Sequence, residues 1–194
     1  MKLFFDPDED KVFEALFGRS VIAWNSTETD VRNFLLYLAS DCGKVEGLGP
    51  WILVAEMGTR HISQTIQAYA DATIEDETTK ALVHHVAVLF ENLVSYRNHY
   101  VHGLIHIFEN VGQIGATTAK SKFKVVHGEV PIEEIGAFID KVGELADFVY
   151  ETLEYLKTDG SSEMPATPAL LPTLVKQTTL LPLRRKSDDA LPEN

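Results

Sequence analysis

The chain of 194 residues carries 29 acidic against 17 basic side chains, a formal charge of -12, and 45% of its residues are apolar. That is enough for one domain with a true core and too little for two large ones. The acidic balance excludes a protein that holds nucleic acid by bulk attraction, because neutralising phosphates requires clustered Lys and Arg. The first residues run from Leu3, Phe4 and Phe5 straight into Asp6, Asp8, Glu9 and Asp10, so no apolar middle of a signal peptide is expected. No apolar run reaches the roughly 20 residues that a bilayer requires. The single cysteine, Cys42, excludes an internal disulfide and supplies no metal-binding Cys pair. A reducing cytoplasm is the expected location, with no membrane association.

Four helices are predicted in chain order. In the first, from about residue 8 to 40, Phe13, Phe17, Val21, Trp24, Val31, Leu35 and Leu38 recur at steps of three and four and share one stripe, into which Glu28 intrudes. The second follows the turn Gly47-Leu48-Gly49-Pro50 and spans about 51 to 69. The third, about 78 to 108, has two adjacent apolar stripes. Leu82, Val86, Leu89, Leu93, Tyr96 and Tyr100 form one, and Val83, Phe90, Val94, Val101 and Ile105 the other. The fourth begins at Pro131 and carries Ile135, Phe138, Val142, Leu145, Val149, Leu153 and Leu156 to residue 157.

Between the third and fourth helices, Gly115 to Gly128 alternates Lys120, Lys122 and Lys124 with Ser121, Phe123 and Val125, the period of a small β-hairpin with its lysines on one face. After Thr158 stand five of the eight prolines, Pro165, Pro168, Pro172, Pro182 and Pro192. The expectation is an all-α domain over residues 1–157: an antiparallel four-helix bundle with a hairpin insertion before the last helix. Residues 158–194 then form a mobile Pro- and Leu-rich tail, able to dock in the groove of a protein partner. The wide apolar arc of the third helix requires a cover, which a symmetric homodimer supplies.

The chemically suggestive segment is Arg97-Asn98-His99-Tyr100-Val101-His102-Gly103. At about 100° per residue, Asn98 and His102 fall on the polar face of the third helix, with His99 and His106 beside them. Arg97 instead falls in the register of Val83, Phe90, Val94 and Val101, where an arginine is costly unless a carboxylate, a phosphate or a partner surface neutralises it. Glu28, the charged intruder of the first helix, is the expected carboxylate. Arg97 and His102 are about 140° apart on an ideal helix. A bend near Gly103, the reach of the arginine, or a second copy of the segment is needed to bring both to one target.

The run Arg97-Asn98-x3-His102, late in the third helix of a predicted four-helix bundle, resembles the Arg-polar-x3-His motif of HEPN domains. Those domains are all-helical, commonly dimeric, and in many cases metal-independent ribonucleases, including toxins of toxin–antitoxin and antiviral systems. The resemblance covers about residues 8 to 157, and its specific part is seven residues. It implies that His102 deprotonates a ribose 2′-hydroxyl, that Arg97 binds the phosphate and that Asn98 helps to position it, with no metal or other cofactor. A histidine titrates near neutral pH and a guanidinium grips phosphate oxygens as a fork, so these residue types suit those roles. Lys120, Lys122 and Lys124, or Arg184, Arg185 and Lys186, are candidates for local positive charge toward RNA. In toxins that a cognate nucleotidyltransferase modifies on tyrosine, that residue stands two positions after the histidine, where this chain has Leu104. Other HEPN-like proteins are non-catalytic interaction or regulatory modules, and the short motif does not separate the two classes.

Bland readings stand beside these. His102 and Asn98 fit a solvated helix face, and Arg97 fits a purely structural ion pair with Glu28. His99, His102 and His106, at steps of three and four, have the spacing of metal ligands but lack a Glu-x-x-His companion. The aromatic residues Trp24, Phe34, Tyr96 and Tyr100 fit the core better than a base-stacking surface, and Cys42 reads as an inert thiol.

Overall fold

In the computed structural model, residues 7–40, 48–102, 104–108, 111–120, 122–158, 160–172 and 178–180 are described, with side chains over 11–40, 49–100, 132–158 and 160–172. Five helices carry the fold: α1 (Pro7–Ala39), α2 (Leu48–Glu56), α3 (Thr59–Thr73), α4 (Glu77–His102) and α5 (Ile132–Lys157). Every element whose side chains are described is a helix, and the domain is all-α. The hairpin expected at Gly115 to Gly128 lies outside those residues, in a stretch whose backbone runs as strands Leu104–Phe108, Val111–Lys120 and Lys122–Pro131.

α1 packs on α5 and α3, and α4 packs on α3 and α5. The apolar stripes predicted for α1 and α5 face this interior. Phe13, Trp24, Val31, Phe34, Leu35 and Leu38 of α1 are buried, as are Ile135, Phe138, Val142, Leu145, Phe148 and Val149 of α5. Trp24 lies at the centre. Its ring stacks on Phe90 of α4 at 5.4 Å between centroids and on Phe138 of α5 at 6.3 Å. Such pairs add about 0.5–1.5 kcal/mol beyond the burial of the rings themselves.

The second predicted helix is two. After Glu56 the chain leaves the helix at Met57 and Gly58, and Gly58 takes an extended conformation as the cap of α3. The reason lies in the two halves. α3 has Ile62, Ile66 and Ala70 buried at steps of four, whereas α2, among its described side chains, buries only Val54 and leaves Trp51, Ile52 and Leu53 more than half exposed. One straight helix does not serve both orientations. Asp76 then starts α4. Its Oδ2 accepts from the Thr79 backbone N–H at 2.7 Å and from the Thr79 hydroxyl at 2.7 Å, and these bonds hold its carboxyl below the usual carboxylate range.

α4 is buried on two sides, as its sequence demands. Leu82, Val86, Leu89, Leu93, Tyr96 and Tyr100 are all buried, and so are Val83, Ala87 and Phe90. The helix ends at His102 rather than near 108. Gly103 costs about 1 kcal/mol in a helix interior, and the β-branched Ile105 and Ile107 that follow have little reason to extend it.

The segment from Thr158 to Pro172 is not a free tail. After a turn at Gly160 it runs along α4. His85 Nε2 meets the Pro168 carbonyl at 2.7 Å, and the Asn92 carboxamide both donates to the Leu171 carbonyl and accepts from the Leu171 N–H, each at 3.1 Å. The Tyr96 hydroxyl donates to the Pro172 carbonyl. Pro165 is buried, and Leu171 packs against the core. This segment supplies part of the cover for α4 that the sequence assigned to a dimer. Beyond it, 173–177 and 181–194 lie outside the described residues.

No described helix is long and apolar enough to cross a membrane.

Candidate functional site

The last two turns of α4 bring Arg97, Asn98, His99 and Tyr100 to the end of the helix nearest Gly103. Tyr100 is the fixed point. It is 2% exposed, its ring meets Phe138 edge-on at 5.4 Å and Tyr96 at 6.2 Å, and its hydroxyl donates to Glu134 Oε1 on α5 at 2.7 Å. Burial, then the hydrogen bond and charge of Glu134, push its ionisation well above that of an ordinary tyrosine. With Tyr100 held from two helices, the residues three and two positions before it are positioned too.

Arg97 is half-buried, as its apolar register implies. With Ser20, Val21 and Trp24 of α1, Tyr100 and Phe138 it lines a cavity of about 40 Å³. Small-molecule sites run to roughly 300–1,000 Å³, so this space takes water and not a nucleotide. Any larger ligand meets Arg97 from outside. There Arg97 Nη1 donates to Asn98 Oδ1 at 3.1 Å. The Asn98 carboxamide, on an exposed residue, thus accepts from the guanidinium. A guanidinium carries five N–H donors and no acceptor, and the carboxamide adds two more. Donors of these kinds are what an anion requires.

The expected partner of Arg97 is engaged elsewhere. Glu28 Oε1 accepts from Arg32 Nη2 at 2.7 Å, and its Oε2 accepts from Trp24 Nε1 at 3.0 Å. Arg32 reaches onward through Nη1 to the Val54 carbonyl at 2.7 Å. The carboxylate therefore ties α1 to α2 and fixes the Trp24 indole, and it is not the counter-ion of Arg97 among the described contacts. A glutamate at the edge of an apolar stripe with an arginine four residues on forms its ion pair locally. That signal was already in the sequence.

His102 is the final residue of α4, five positions beyond Arg97, but its side chain lies outside the description, as do those of His106, Lys120, Lys122 and Lys124. Cys42, Arg184, Arg185 and Lys186 lie outside the described residues altogether. His99 is half-buried, its ring 5.9 Å from that of Tyr100. Among the described residues no three His, Cys, Asp or Glu side chains converge on a point where a metal would sit. The residues that bind the strap along α4, His85, Asn92 and Tyr96, were not singled out together from the sequence. The available signal was Asn92, a polar residue set between Leu89, Phe90 and Leu93 in the apolar arc.

Comparison of the chain with protein-family models, with curated proteins and with solved structures found no match.

Proposed function

We propose that this chain is a HEPN-like, metal-independent endoribonuclease built as an antiparallel four-helix bundle, in which α2 is an appendage to the α1, α3, α4 and α5 core. The observation that carries the reading is the contact between Arg97 and Asn98 at the end of α4, in the same continuous helix as His102. An RNA phosphate lies against Arg97 and the amide of Asn98. His102 removes the proton of the adjacent ribose 2′-hydroxyl; the 2′-oxygen attacks phosphorus, and the bond to the 5′-oxygen of the next nucleotide breaks as that oxygen takes a proton from solvent water. The products are a 2′,3′-cyclic phosphate and a 5′-hydroxyl end.

On an ideal helix His102 points about 140° away from Arg97, about 7.5 Å further along the axis. Two copies of the segment across a homodimer interface place the arginine of one beside the histidine of the other. Lys120, Lys122 and Lys124 supply local charge toward the RNA, which an acidic chain needs. A cytoplasmic toxin or defence nuclease is the setting that fits.

The decisive measurement uses full-length protein with single-stranded RNA in EDTA. Wild type is expected to leave cyclic-phosphate ends, and His102→Ala to cleave at least about 10²-fold more slowly, the usual contribution of general base catalysis. Equal cleavage by the two proteins, or none by either, removes the nuclease reading.

One observation favours a second reading, a non-catalytic HEPN-like interaction module. The Pro- and Leu-rich segment occupies a long face of α4 by hydrogen bonds, the kind of contact through which an adaptor takes a protein partner. Under that reading the His102→Ala protein captures its partner as wild type does, and RNA is untouched by either.

A further inference from the structure

His85, Asn92 and Tyr96 are spaced by seven and four residues, which places them within about 40° of one another on α4, a single stripe along the helix. Every hydrogen bond they make across to residues 168–172 ends on backbone: the carbonyls of Pro168, Leu171 and Pro172 and the N–H of Leu171. The contacts are taken in the same order along both partners, so the segment runs parallel to α4. Over the first interval the rises also match. From His85 to Asn92 the helix advances about 10.5 Å at 1.5 Å per residue, and three residues of polyproline-type chain cover about 9.3 Å.

Asn92 is the central contact. Its carboxamide engages the C=O and the N–H of the same residue, Leu171, as a neighbouring strand would. Pro172 follows that residue directly and Pro168 stands three residues before it, and a proline has no N–H to leave unsatisfied. Of this stretch only Pro165 is fully buried, while Ala166, Thr167, Ala169, Leu170 and Pro172 are exposed. The segment thus rests on the helix by one edge and by its backbone, the way an extended proline-rich ligand sits in a groove.

We infer that the His85–Asn92–Tyr96 face of α4 is a binding groove for extended, proline-spaced peptide, and that residues 165–172 are its resident ligand in cis. The partner it takes is a protein with an extended segment in which a residue offering both backbone groups precedes a proline, as in Pro-x-x-Pro-x-Leu-Leu-Pro. Such a segment binds by displacing the chain's own. The inference does not depend on the nuclease reading.

A fluorescein-labelled peptide of residues 163–174 tests this by anisotropy against the full-length protein. In wild type the resident segment competes at an effective concentration on the order of millimolar, so the labelled peptide binds weakly. Leu171→Pro in the protein deletes the N–H that Asn92 accepts and leaves the groove intact; this variant should bind the wild-type peptide at least about tenfold more tightly. Adding Asn92→Ala to Leu171→Pro should return the affinity to the weak level. A folded Leu171→Pro protein that binds no better than wild type overturns the inference, and so does an affinity indifferent to Asn92→Ala. Wild-type protein provides a test free of folding risk. With unlabelled peptide at about ten times that effective concentration, amides of the protein's own residues 163–172 should exchange hydrogen at least about fivefold faster, and unchanged exchange overturns the inference equally.

Discussion

The Tyr100 hydroxyl donates to Glu134 Oε1 at 2.7 Å and so joins α4 to α5 one helical turn from Arg97. The donor ring is almost wholly buried while Glu134 is half-buried. The bond therefore forms where water competes on one side only. It fixes the end of α4 from which Arg97 and Asn98 project.

Removing that hydroxyl leaves a half-buried carboxylate without its donor. Tyr100→Phe is expected to lower stability by about 1.5–3 kcal/mol, the cost of breaking a hydrogen bond to a charged group, with the helical content unchanged. Urea denaturation followed by circular dichroism measures it. Glu134→Gln keeps an acceptor for Tyr100 and should lose clearly less. If the two variants are equally damaging, the charge of Glu134 and not the hydrogen bond accounts for the effect.

The same pair dictates behaviour at alkaline pH. In the unfolded chain a tyrosine ionises near pH 10, whereas burial first, and then Glu134, hold Tyr100 neutral well above that in the folded chain. Burial and Glu134 act in the same direction on Tyr96. A folded state that favours the neutral phenol keeps its full stability below pH 10 and loses it as pH rises further, because only the unfolded chain releases the proton. The urea midpoint should stay level to about pH 9 and fall between pH 10 and 11, and Tyr100→Phe should flatten that fall. An identical slope in the variant would assign the alkaline loss to other groups.

Glu28 is a structural residue of the α1–α2 connection. Glu28→Ala removes the acceptor of both Arg32 and the Trp24 indole, each held at 3.0 Å or less. It should cost about 1–2 kcal/mol and shift Trp24 fluorescence. RNA cleavage at a temperature where the variant is folded should stay within about twofold of wild type, while Arg97→Ala loses it. A selective loss of cleavage in Glu28→Ala, at unchanged stability, would return Glu28 to the site.

Residues whose neighbours lie on the same helix were legible in the sequence; those that depend on distant chain were not. The stripes of α1 and α5 identified Phe13, Trp24, Leu35, Phe138 and Val142 as core because helical period alone decides which side chains share a face. The two-sided burial of α4 was legible for the same reason. Local period carries no record of which surface covers a stripe. The cover of α4 was assigned to a second protomer, and the part of it that the chain's own Pro165–Pro172 supplies, fixed by Asn92 from some eighty residues away, went unread. The break between α2 and α3 was missed because one apolar window runs through both, and only packing shows that they face different neighbours. Glu28 was matched to Arg97 as one misplaced charge to another, although Arg32, four residues away on the same helix, was the nearer cation.

The strap along α4 is launched by a turn that only glycine fits well. Gly160 has φ of 74°, its N–H donates to the Tyr155 carbonyl at 3.0 Å, and a Cβ at this position would stand 3.1 Å from the Tyr155 hydroxyl. The left-handed backbone costs an L-residue about 1–2 kcal/mol, so Gly160→Ala should lower stability by about that amount. The loss should be local in origin. Hydrogen exchange is expected to quicken in residues 163–172 while the middle of α5, around Val142 and Leu145, stays as protected as in wild type until global unfolding. Asn92→Ala breaks the strap at its other contact and should produce the same pattern, and the two variants combined should cost less than the sum of each alone, because both release one segment. Full additivity, or an unchanged exchange rate in 163–172 on Gly160→Ala, would mean that the turn and the strap are held independently.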